Sequence, residues 1–364
     1  MISAPRLEID LGKIQHNART LVERLARRGI SVTGVTKASL GSTEIAHELR
    51  LAGVSGLGDS RIENIEAMRH SHLSARLSLI RSPMLSQAKR VVASADISFN
   101  TELEVIRRLS FEAVKMGRTH AVVLMVELGD LREGLMPDDL VAVVRETLSL
   151  PNIVFKGLGT NLACQSGVSP DDANMGELSR LVALVESTFD ISIEIVSGGN
   201  PANLDWAFSS KCTGRINNLR LGESILLGRE ALHRNAIDGL HTDAITLVAE
   251  VIESKLKPTK PTGKLAQNAF GNCPDIVDRG TVAQAILAIG VQDVDLGGLQ
   301  PSKGIKILGG SSDHLVVTSD ANPAVGAEIT FQMDYSALLR AMTSPFVGKS
   351  YQYTDNVSRL RQIA

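Results

Sequence analysis

The sequence predicts an α/β protein made of a (β/α)8 TIM barrel and a C-terminal, mostly antiparallel β domain. The first observation is a repeating cycle of short apolar runs and helical patterns that ends near Leu232. The second is that the later apolar runs are of β type and are separated by turn clusters. The third is the length of 364 residues, which exceeds one ordinary hydrophobic core and favours two domains.

The composition is that of a soluble globular protein, with 43% apolar and 21% charged residues. A formal net charge of −2 argues against a nucleic acid or an anionic membrane as partner. The first residues do not resemble a signal peptide, and no apolar run is long enough to span a bilayer. The three separated cysteines, Cys164, Cys212 and Cys273, suggest a reducing compartment. We therefore expect a cytoplasmic protein.

The chain begins with an alternating stretch at Arg6–Asp10, which predicts a strand. Residues Leu11–Arg28 have helical apolar spacing, and Gly29 ends that helix. The stretch Ser31–Ser39 then predicts a short buried strand that ends at Lys37, and a helix follows near Thr43–Ala52.

After this strand the cycle continues through the rest of the first part of the chain. Helical patterns lie between most of the apolar runs, for example at Thr101–Met116, Pro137–Leu148 and Glu177–Ser187. Eight strands that alternate mostly with helices over roughly two hundred residues predict a closed barrel of parallel strands, with a doubly wound open sheet as the alternative. The seven later apolar runs are Ser55–Gly58, Leu77–Ile80, Asp96–Phe99, Ala121–Leu128, Ile153–Gly159, Ile193–Val196 and Asn218–Leu221.

The pattern beyond Leu232 predicts a separate β domain with mostly antiparallel strands. We place the barrel at residues 11–232 and the β domain at 233–364, and we expect residues 1–10 to pair with the latter. The β-type runs are Ala244–Ile252, Ala283–Gly290, Ile305–Leu308, His314–Thr318 and Glu328–Met333, with a turn cluster at Lys257–Gly263.

Lys37 is the most informative residue of the barrel, because active sites of such barrels lie at the C-terminal ends of the strands. An ammonium group is rarely left inside a protein unless it is paired or chemically used. A desolvated lysine has a lowered pKa and can form a Schiff base with an aldehyde such as pyridoxal phosphate. The alternative is that Lys37 begins a surface loop.

Other polar residues follow the ends of later strands. The stretch Ser197-Gly198-Gly199-Asn200 has the character of a phosphate cradle, although a Gly-Gly turn after a strand is common. Arg220 and Arg132 are candidates for a ligand contact or for an interface ion pair, and Asn161 for a ligand contact or a strand-end cap.

Several other kinds of site lack support in the sequence. No metal-ligand cluster stands out, because the eight histidines are scattered. There is no Gly-x-Ser-x-Gly elbow for a serine hydrolase. There is also no Gly-x-Gly-x-x-Gly after the first strand, which weakens a nicotinamide interpretation.

Seven stretches together resemble the alanine racemase family of pyridoxal-phosphate enzymes (fold type III), and within it the branch that contains ornithine racemase. The resemblance extends over nearly the whole chain. The stretches are Asp59-Ser60-Arg61-Ile62, Leu128-Gly129-Asp130-Leu131-Arg132-Glu133-Gly134, Ile195-Val196-Ser197-Gly198-Gly199-Asn200, Asn218-Leu219-Arg220-Leu221-Gly222-Glu223-Ser224, Ala269-Phe270-Gly271-Asn272, Ala288-Ile289-Gly290-Val291-Gln292-Asp293 and Ser311-Ser312-Asp313-His314.

This resemblance implies roles for individual residues. Lys37 matches the Schiff-base lysine, which also serves as one of two bases for the α-proton. Arg220 matches the arginine that hydrogen-bonds the pyridine nitrogen and keeps it unprotonated. A homodimer is implied, because in this family the other subunit completes the site. The remaining cofactor contacts implied are Gly222, Glu223, Tyr335 and the Ser197–Asn200 loop at the phosphate, and Arg132 and Asn161 beside the ring and its hydroxyl.

The second base does not transfer from the family. Alanine racemases use a tyrosine in a Tyr-Gly motif, whereas the corresponding stretch Gln267–Asn272 contains no tyrosine. Some alanine racemases carry a carbamylated lysine, and the position of that lysine falls near Met125 in this sequence. By their chemistry, His314 and Asp313 are candidates for the second base. Alternatively, Asp313 binds substrate while His314 orients it.

The resemblance implies a racemase that uses pyridoxal phosphate to interconvert the L and D forms of a free amino acid. The branch and the acidic residues of the β domain favour a basic substrate such as ornithine, lysine or arginine, with Asp293, Ser312 and Asp313 as expected substrate contacts. Two alternatives stay open. One is a lyase of the same fold, similar to D-threonine aldolase and requiring a divalent metal. The other is a non-catalytic carrier of pyridoxal phosphate.

Overall fold

The computed structural model describes residues 2–268, 270, 271, 273 and 277–354. The chain forms two compact units, one from Leu11 to Thr242 and one from the first ten residues together with the chain from Asp243 onward. The first unit extends past residue 232, where the sequence analysis placed a boundary. The physical reason is that the intervening segment is tied back to the first unit, by a bridge between Arg229 and Ala236 and by hydrogen bonds between Asn17 and His241.

The first unit is a closed barrel of eight parallel strands, which confirms the predicted fold class. The strands pair in chain order, and the first pairs with the last through Thr33 and Arg220, so the alternative of an open doubly wound sheet is wrong. Strand β1, Arg6–Asp10, belongs to the other unit. The barrel strands are β2 Ser31–Val35, β3 Gly56–Asp59, β4 Leu77–Leu79, β5 Ile97–Asn100, β6 His120–Met125, β7 Ile153–Gly159, β8 Ile195–Gly199 and β9 Asn218–Leu221.

Helices follow the strands around the barrel. Helix α1 is typical, because Leu11, Ile14, Leu21 and Leu25 recur at helical spacing and are all buried. The helices of this unit are α1 Leu11–Ala26, α2 Thr43–Leu51, α3 Ile62–His70, α4 Ala88–Ser94, α5 Leu103–Lys115, α6 Leu140–Ser149, α7 Asp172–Phe189, α8 Asn203–Ser209 and α9 Glu223–Leu227.

The interior of the barrel has an apolar half and a polar half. On β5 and β6, the side chains of Ile97, Phe99, Val123 and Met125 form one buried apolar cluster. On strands β8, β9 and β2 the side chains of Ser197, Asn218, Arg220 and Thr33 form a hydrogen-bonded polar group, while Ile195 of β8 packs against the apolar cluster. Barrel interiors are usually filled by branched aliphatic residues, so the polar half marks the part of this barrel that is specialised.

In its described residues, the second unit is a mostly antiparallel sheet with one α-helix, α10, at Tyr335–Thr343, and it confirms the predicted β domain. The sheet runs in the order β12, β15, β10, β11, β14, β13. Strand β1 pairs antiparallel with β10 and parallel with β16. The strands are β10 Ile245–Pro258, β11 Thr281–Leu287, β12 Leu299–Pro301, β13 Ile305–Gly310, β14 Leu315–Ser319, β15 Glu328–Met333 and β16 Gly348–Gln352.

None of the helices in the described part of the chain is both long and apolar enough to cross a lipid bilayer.

Candidate active site

Lys37 lies at the C-terminal end of β2, where the chain leaves the barrel in a tight turn. Thr36 is fully buried, and its N–H donates to the carbonyl of Gly58 at 2.9 Å. Lys37 begins a 3-10 turn and is half-buried. The chain then reverses at Gly41, whose φ of +65° and close approach to Asn64 leave no room for a side chain. The turn therefore places an amine at the catalytic end of the barrel.

Asp59, at the end of β3, supports this turn from within the protein. Its carboxylate accepts hydrogen bonds from the hydroxyl of Thr36 at 2.7 Å, the N–H of Arg61 at 2.9 Å and the amide of Asn64 at 3.0 Å. Burial raises the pKa of Asp59 above its usual value, although these three hydrogen bonds act in the opposite direction. In the sequence, Asp59 stands out only as part of a family-like stretch, and its role in supporting the turn is visible only in the structure.

Arg220, on β9, is the buried cation of the site. Its Nη1 donates to the hydroxyl of Ser197 at 2.5 Å, and its Nη2 donates to the carbonyl of Thr160 at 2.8 Å. Its guanidinium carbon lies 5.1 Å from the centre of the Phe99 ring. Burial lowers the pKa of Arg220 to about 10, so the group still carries its charge at neutral pH.

The hydrogen-bond partners of Arg220 are neutral, and the charged side chains of Glu133 and Arg132 act on it only from a longer distance. Among the described residues no carboxylate lies within ion-pair distance of its guanidinium, and the nearest side-chain acceptors are the Ser197 hydroxyl and the Asn161 amide oxygen at 3.3 Å. A cation held by neutral partners is suited to donate a hydrogen bond to a neutral acceptor of a ligand.

Asn161 and Asn200 connect the loops that follow β7 and β8. The amide of Asn200 donates to the Asn161 oxygen at 3.2 Å and to the Leu162 carbonyl at 2.7 Å. Both asparagine amides also donate to the sulfur of Cys164, at 3.0 Å from Asn161 and 3.2 Å from Asn200. The sequence analysis used Cys164 only as an indicator of compartment and did not place it in the site.

The loop after β6 carries Arg132 and is held by two buried carboxylates. Glu127 accepts from the N–H groups of Gly129, Leu131 and Arg132. Asp130 is fully buried and accepts from three N–H groups of the loop after β7, those of Cys164, Gln165 and Ser166. Arg132 itself is partly exposed and pairs with Glu133. The two loops therefore form one connected rim beside Arg220.

Glycines at the ends of β8 and β9 let the backbone pack closely, and we call these two strand ends the cradle. Gly199 has a φ of +141°, and a side chain there would collide with Asn203. After β9, Gly222 packs against the backbone of Val35 so closely that a Cβ would lie 3.0 Å from its carbonyl oxygen. The hydroxyl of Ser224, which is fully buried, has no hydrogen-bond partner in the described part of the chain. Backbone N–H groups and an unsatisfied hydroxyl fit a phosphate group.

The side chain of Glu223 pairs with Arg234, so Glu223 can contribute its backbone to the cradle. Ser197, by contrast, uses its hydroxyl for Arg220 and Asn218 in the barrel interior.

Most candidate residues of the second unit lie on two backbone segments, around Asp293 and around Ser312, that are hydrogen-bonded to each other. The N–H of Gln292 donates to the carbonyl of Ser312, which places Asp293 near Ser312 along the backbone. The Asp293 carboxylate is buried and accepts from the Ser344 hydroxyl at 2.6 Å. Asp313 is exposed, and its carboxylate lies 2.8 Å from Nδ1 of His314.

The hydrogen bond from His314 lowers the pKa of Asp313. Tyr335, half-buried, is the first residue of α10.

Ala269 and Asn272, in the stretch matched to the family's Tyr-Gly motif, lie outside the described residues. The described residues also include one group with possible metal-ligand geometry that the sequence analysis did not find, formed by Asp205, Glu230 and His233. Both oxygens of Glu230 already accept N–H groups from its own loop, which explains why this group is packed closely.

Comparison with known proteins gives consistent matches. The family model of the alanine racemase N-terminal domain matches residues 9–229. The chain is 39% identical over 351 residues to ornithine racemase from Acetoanaerobium sticklandii, covering 95% of this chain and 99% of the relative. It is 40% identical over 351 residues to lysine racemase from Thermotoga maritima, covering 96% and 98%. Alanine racemase from Streptomyces lavendulae has the same fold, with a TM-score of 0.77 at 16% identity, covering 98% of this chain and 99% of that one.

Proposed function

Because the chain belongs to the alanine racemase family, we propose that it is a racemase that interconverts the L and D forms of a free basic amino acid, with ornithine and lysine as the first candidates. The observation that carries this proposal is the placement of Lys37 and Arg220 at the C-terminal ends of the paired strands β2 and β9. The substrate class is supported by the names of two relatives that match this chain over nearly their full length.

We propose pyridoxal phosphate as the cofactor, because the barrel residues fit its parts. Lys37 would hold the aldehyde carbon, and Arg220 would donate to the ring nitrogen from its neutral surroundings. The phosphate fits the backbone of Gly198, Gly199, Gly222 and Glu223 and the unsatisfied hydroxyl of Ser224. Asn200, Arg132, Asn161 and Tyr335 remain the further contacts proposed from the family. When bound, this group supplies an electron sink that makes the α-proton of an amino acid acidic.

In this proposal two side chains of the protein share the proton transfer, one on each face of the substrate. The amine of Lys37 takes or returns the α-proton on one face of the substrate. Arg220 donates a hydrogen bond without giving up its proton, because its pKa of about 10 is still well above neutral pH. A second base must act on the opposite face. His314 is our candidate, since Asp313 holds its Nδ1 side and leaves Nε2 to carry a proton.

Asp313 has a second possible role in substrate binding. It is an exposed carboxylate and could instead accept the cationic side chain of the substrate, with Ser312 beside it. Asp293 is the weaker candidate for this contact, because its carboxylate already has a buried partner in Ser344.

We further propose that the enzyme is a homodimer in which the β unit of the partner completes each site. The support is the family resemblance, which assigns the first base and the second base to different subunits. We place the enzyme in the cytoplasm, because all three cysteines are exposed thiols, as expected in a reducing compartment.

The proposed function is tested by proton NMR in D2O, with purified protein, added pyridoxal phosphate and a panel of L-amino acids. We expect the α-proton signal of ornithine, lysine or arginine to disappear, and a chiral assay to find the D product. Exchange with retained chirality would show that Lys37 works without an opposing base. Release of glycine from D-threonine would identify a lyase, and no exchange with any amino acid would leave the carrier interpretation.

A further inference from the structure

A chain of hydrogen bonds descends from Arg220 through the polar half of the barrel. It is buried between Arg220, Ser197 and Asn218 and becomes part-buried at Thr33 and Ser31. Arg220 donates to the Ser197 hydroxyl at 2.5 Å, and that hydroxyl donates to the amide oxygen of Asn218 at 2.9 Å. The amide nitrogen of Asn218 then donates to the hydroxyls of Thr33 at 3.0 Å and Ser31 at 3.2 Å. We call these four residues below Arg220 the relay.

The donors and acceptors of the relay fit in one direction only. A serine hydroxyl has one proton, and if Ser197 gives it to Asn218, a lone pair is left for Arg220. If the Asn218 amide were reversed, its NH2 group would also donate to Ser197, and the Ser197 proton would have no acceptor in the relay. Every donor therefore points away from Arg220, and the relay presents only acceptors to the guanidinium.

The far end of the relay opens into a cavity of about 220 Å³ at the N-terminal end of the barrel, lined in part by Ser31, Thr33 and Asn218. This volume accommodates several water molecules at ~30 Å³ each. Such water can satisfy the remaining hydroxyl groups, which offsets the cost of placing polar side chains inside a barrel.

We propose that Ser197 and Asn218 are positioning residues for Arg220. They fix the orientation of the guanidinium group and provide no negatively charged partner. The positive charge of Arg220 is therefore not offset by the relay where the ligand would bind. The amide of Asn218 in the middle of the relay orients hydrogen bonds but does not conduct a proton. Arg220 therefore cannot pass its proton through these residues to water in the cavity. This inference rests on the proposed function, in which Arg220 contacts the ring nitrogen of the cofactor.

The test compares Ser197→Ala and Asn218→Asp with Ser98→Ala as the matched control. Ser98 is also a fully buried barrel-strand serine with two side-chain partners, but these are His120 and Asn100, not Arg220. The first readout is the NMR signal of the Arg220 guanidinium in arginine-labelled, cofactor-free protein, assigned with Arg220→Lys. The second is the nitrogen-15 shift of the ring nitrogen when labelled pyridoxal phosphate is added.

We expect Ser197→Ala to shift the Arg220 signal and to lower kcat/KM by roughly ten- to a hundredfold, the range for losing a hydrogen bond to a charged group. Asn218→Asp should move the ring-nitrogen shift toward the protonated form, because the new carboxylate neutralises Arg220, and should raise the yield of keto acid by-product. Ser98→Ala should leave both signals unchanged.

The proposal is overturned if Ser197→Ala and Asn218→Asp shift these signals no more than Ser98→Ala does. If Ser197→Ala does not fold, Asn218→Asp and Thr33→Val decide by the same criteria. The cofactor-free signal also separates this inference from the proposed function. If the variants shift the Arg220 signal but the wild-type protein racemises no amino acid, the role of the relay is supported and the proposed racemase function is refuted.

Discussion

At the residue scale, the candidate chemistry depends on two cations with different surroundings. Lys37 is half-buried at the mouth of the barrel, on a turn that Asp59 and Gly41 hold in place. Arg220 is almost completely buried among neutral partners. In the proposed mechanism, Lys37 exchanges a proton with the substrate, whereas Arg220 keeps its proton and supplies a fixed positive charge.

Replacing Lys37 with alanine should reduce racemisation by at least ~10³-fold, because a proton transfer and the covalent attachment of the cofactor are lost together. The visible absorbance of protein-bound pyridoxal phosphate should disappear as well. Lys89→Ala, at an exposed position on α4, is the control and should behave like the wild type. Turnover that survives in the Lys37→Ala protein would contradict the proposed mechanism.

At the element scale, the rim of the site consists of loops that are tied to each other. Asp130, in the loop after β6, accepts three backbone N–H groups from the loop after β7. The same second loop places Cys164 and Asn161 against Asn200. The positions of Arg132 and Asn161 therefore depend on a carboxylate whose partners are backbone N–H groups.

Asp130→Ala should destabilise the protein by about 2 kcal/mol, because it leaves three N–H groups in part-buried hydrogen bonds without their acceptor. It should also accelerate hydrogen exchange at residues 164–166 and weaken cofactor binding. Urea unfolding and exchange measured by mass spectrometry test both effects. Asp138→Ala, at an exposed position later in the same connection, should change neither, and equal effects of the two variants would refute the role of Asp130.

At the scale of the whole molecule, a buried histidine gives folding a dependence on pH. His120, on β6, is 1% exposed and lies 2.8 Å from the Ser98 hydroxyl. Burial lowers the pKa of His120 from 6.5 to about 4. Between these values the unfolded chain binds a proton that the folded chain does not, so stability decreases as the pH falls through this window.

This linkage is expected to remove about 2 kcal/mol of stability between pH 7.5 and pH 5. Urea unfolding at the two pH values measures the loss. In His120→Gln, which cannot titrate, the decrease over the same interval should be smaller by that amount. An identical pH dependence in both proteins would show that His120 is not responsible.

The proposed dimer makes a second prediction at this scale. If the two bases come from different subunits, Lys37→Ala and His314→Ala proteins should each be inactive alone. Mixing them after reversible dissociation should restore up to about a quarter of wild-type activity, because half of the dimers are mixed and each mixed dimer has one intact site. Activity that does not recover, although mixed dimers form, would place both bases in one chain.

Much of this protein could be predicted from its sequence by itself. The alternation of strand and helix patterns predicted the barrel, because each pattern reflects which face of a local element is buried. The change near Leu232, from alternating strand and helix patterns to β-type runs, predicted the separate β domain for the same reason. Lys37 and Arg220 were identifiable because charged residues are unusual at the ends of buried strands, and the glycine stretches because they follow strands at the same end of the predicted barrel.

Only the tertiary structure decided which of these residues support each other. The contact of Ser197 with Arg220 spans 23 residues, that of Asp130 with the next loop spans 34 to 36, and that of Asn218 with Thr33 spans 185. Such contacts leave no periodic signal, because closing a barrel brings strands together by geometry and not by spacing along the chain. The sequence therefore determined the elements and the reactive groups, and the closed barrel determined the neighbours that hold and tune them.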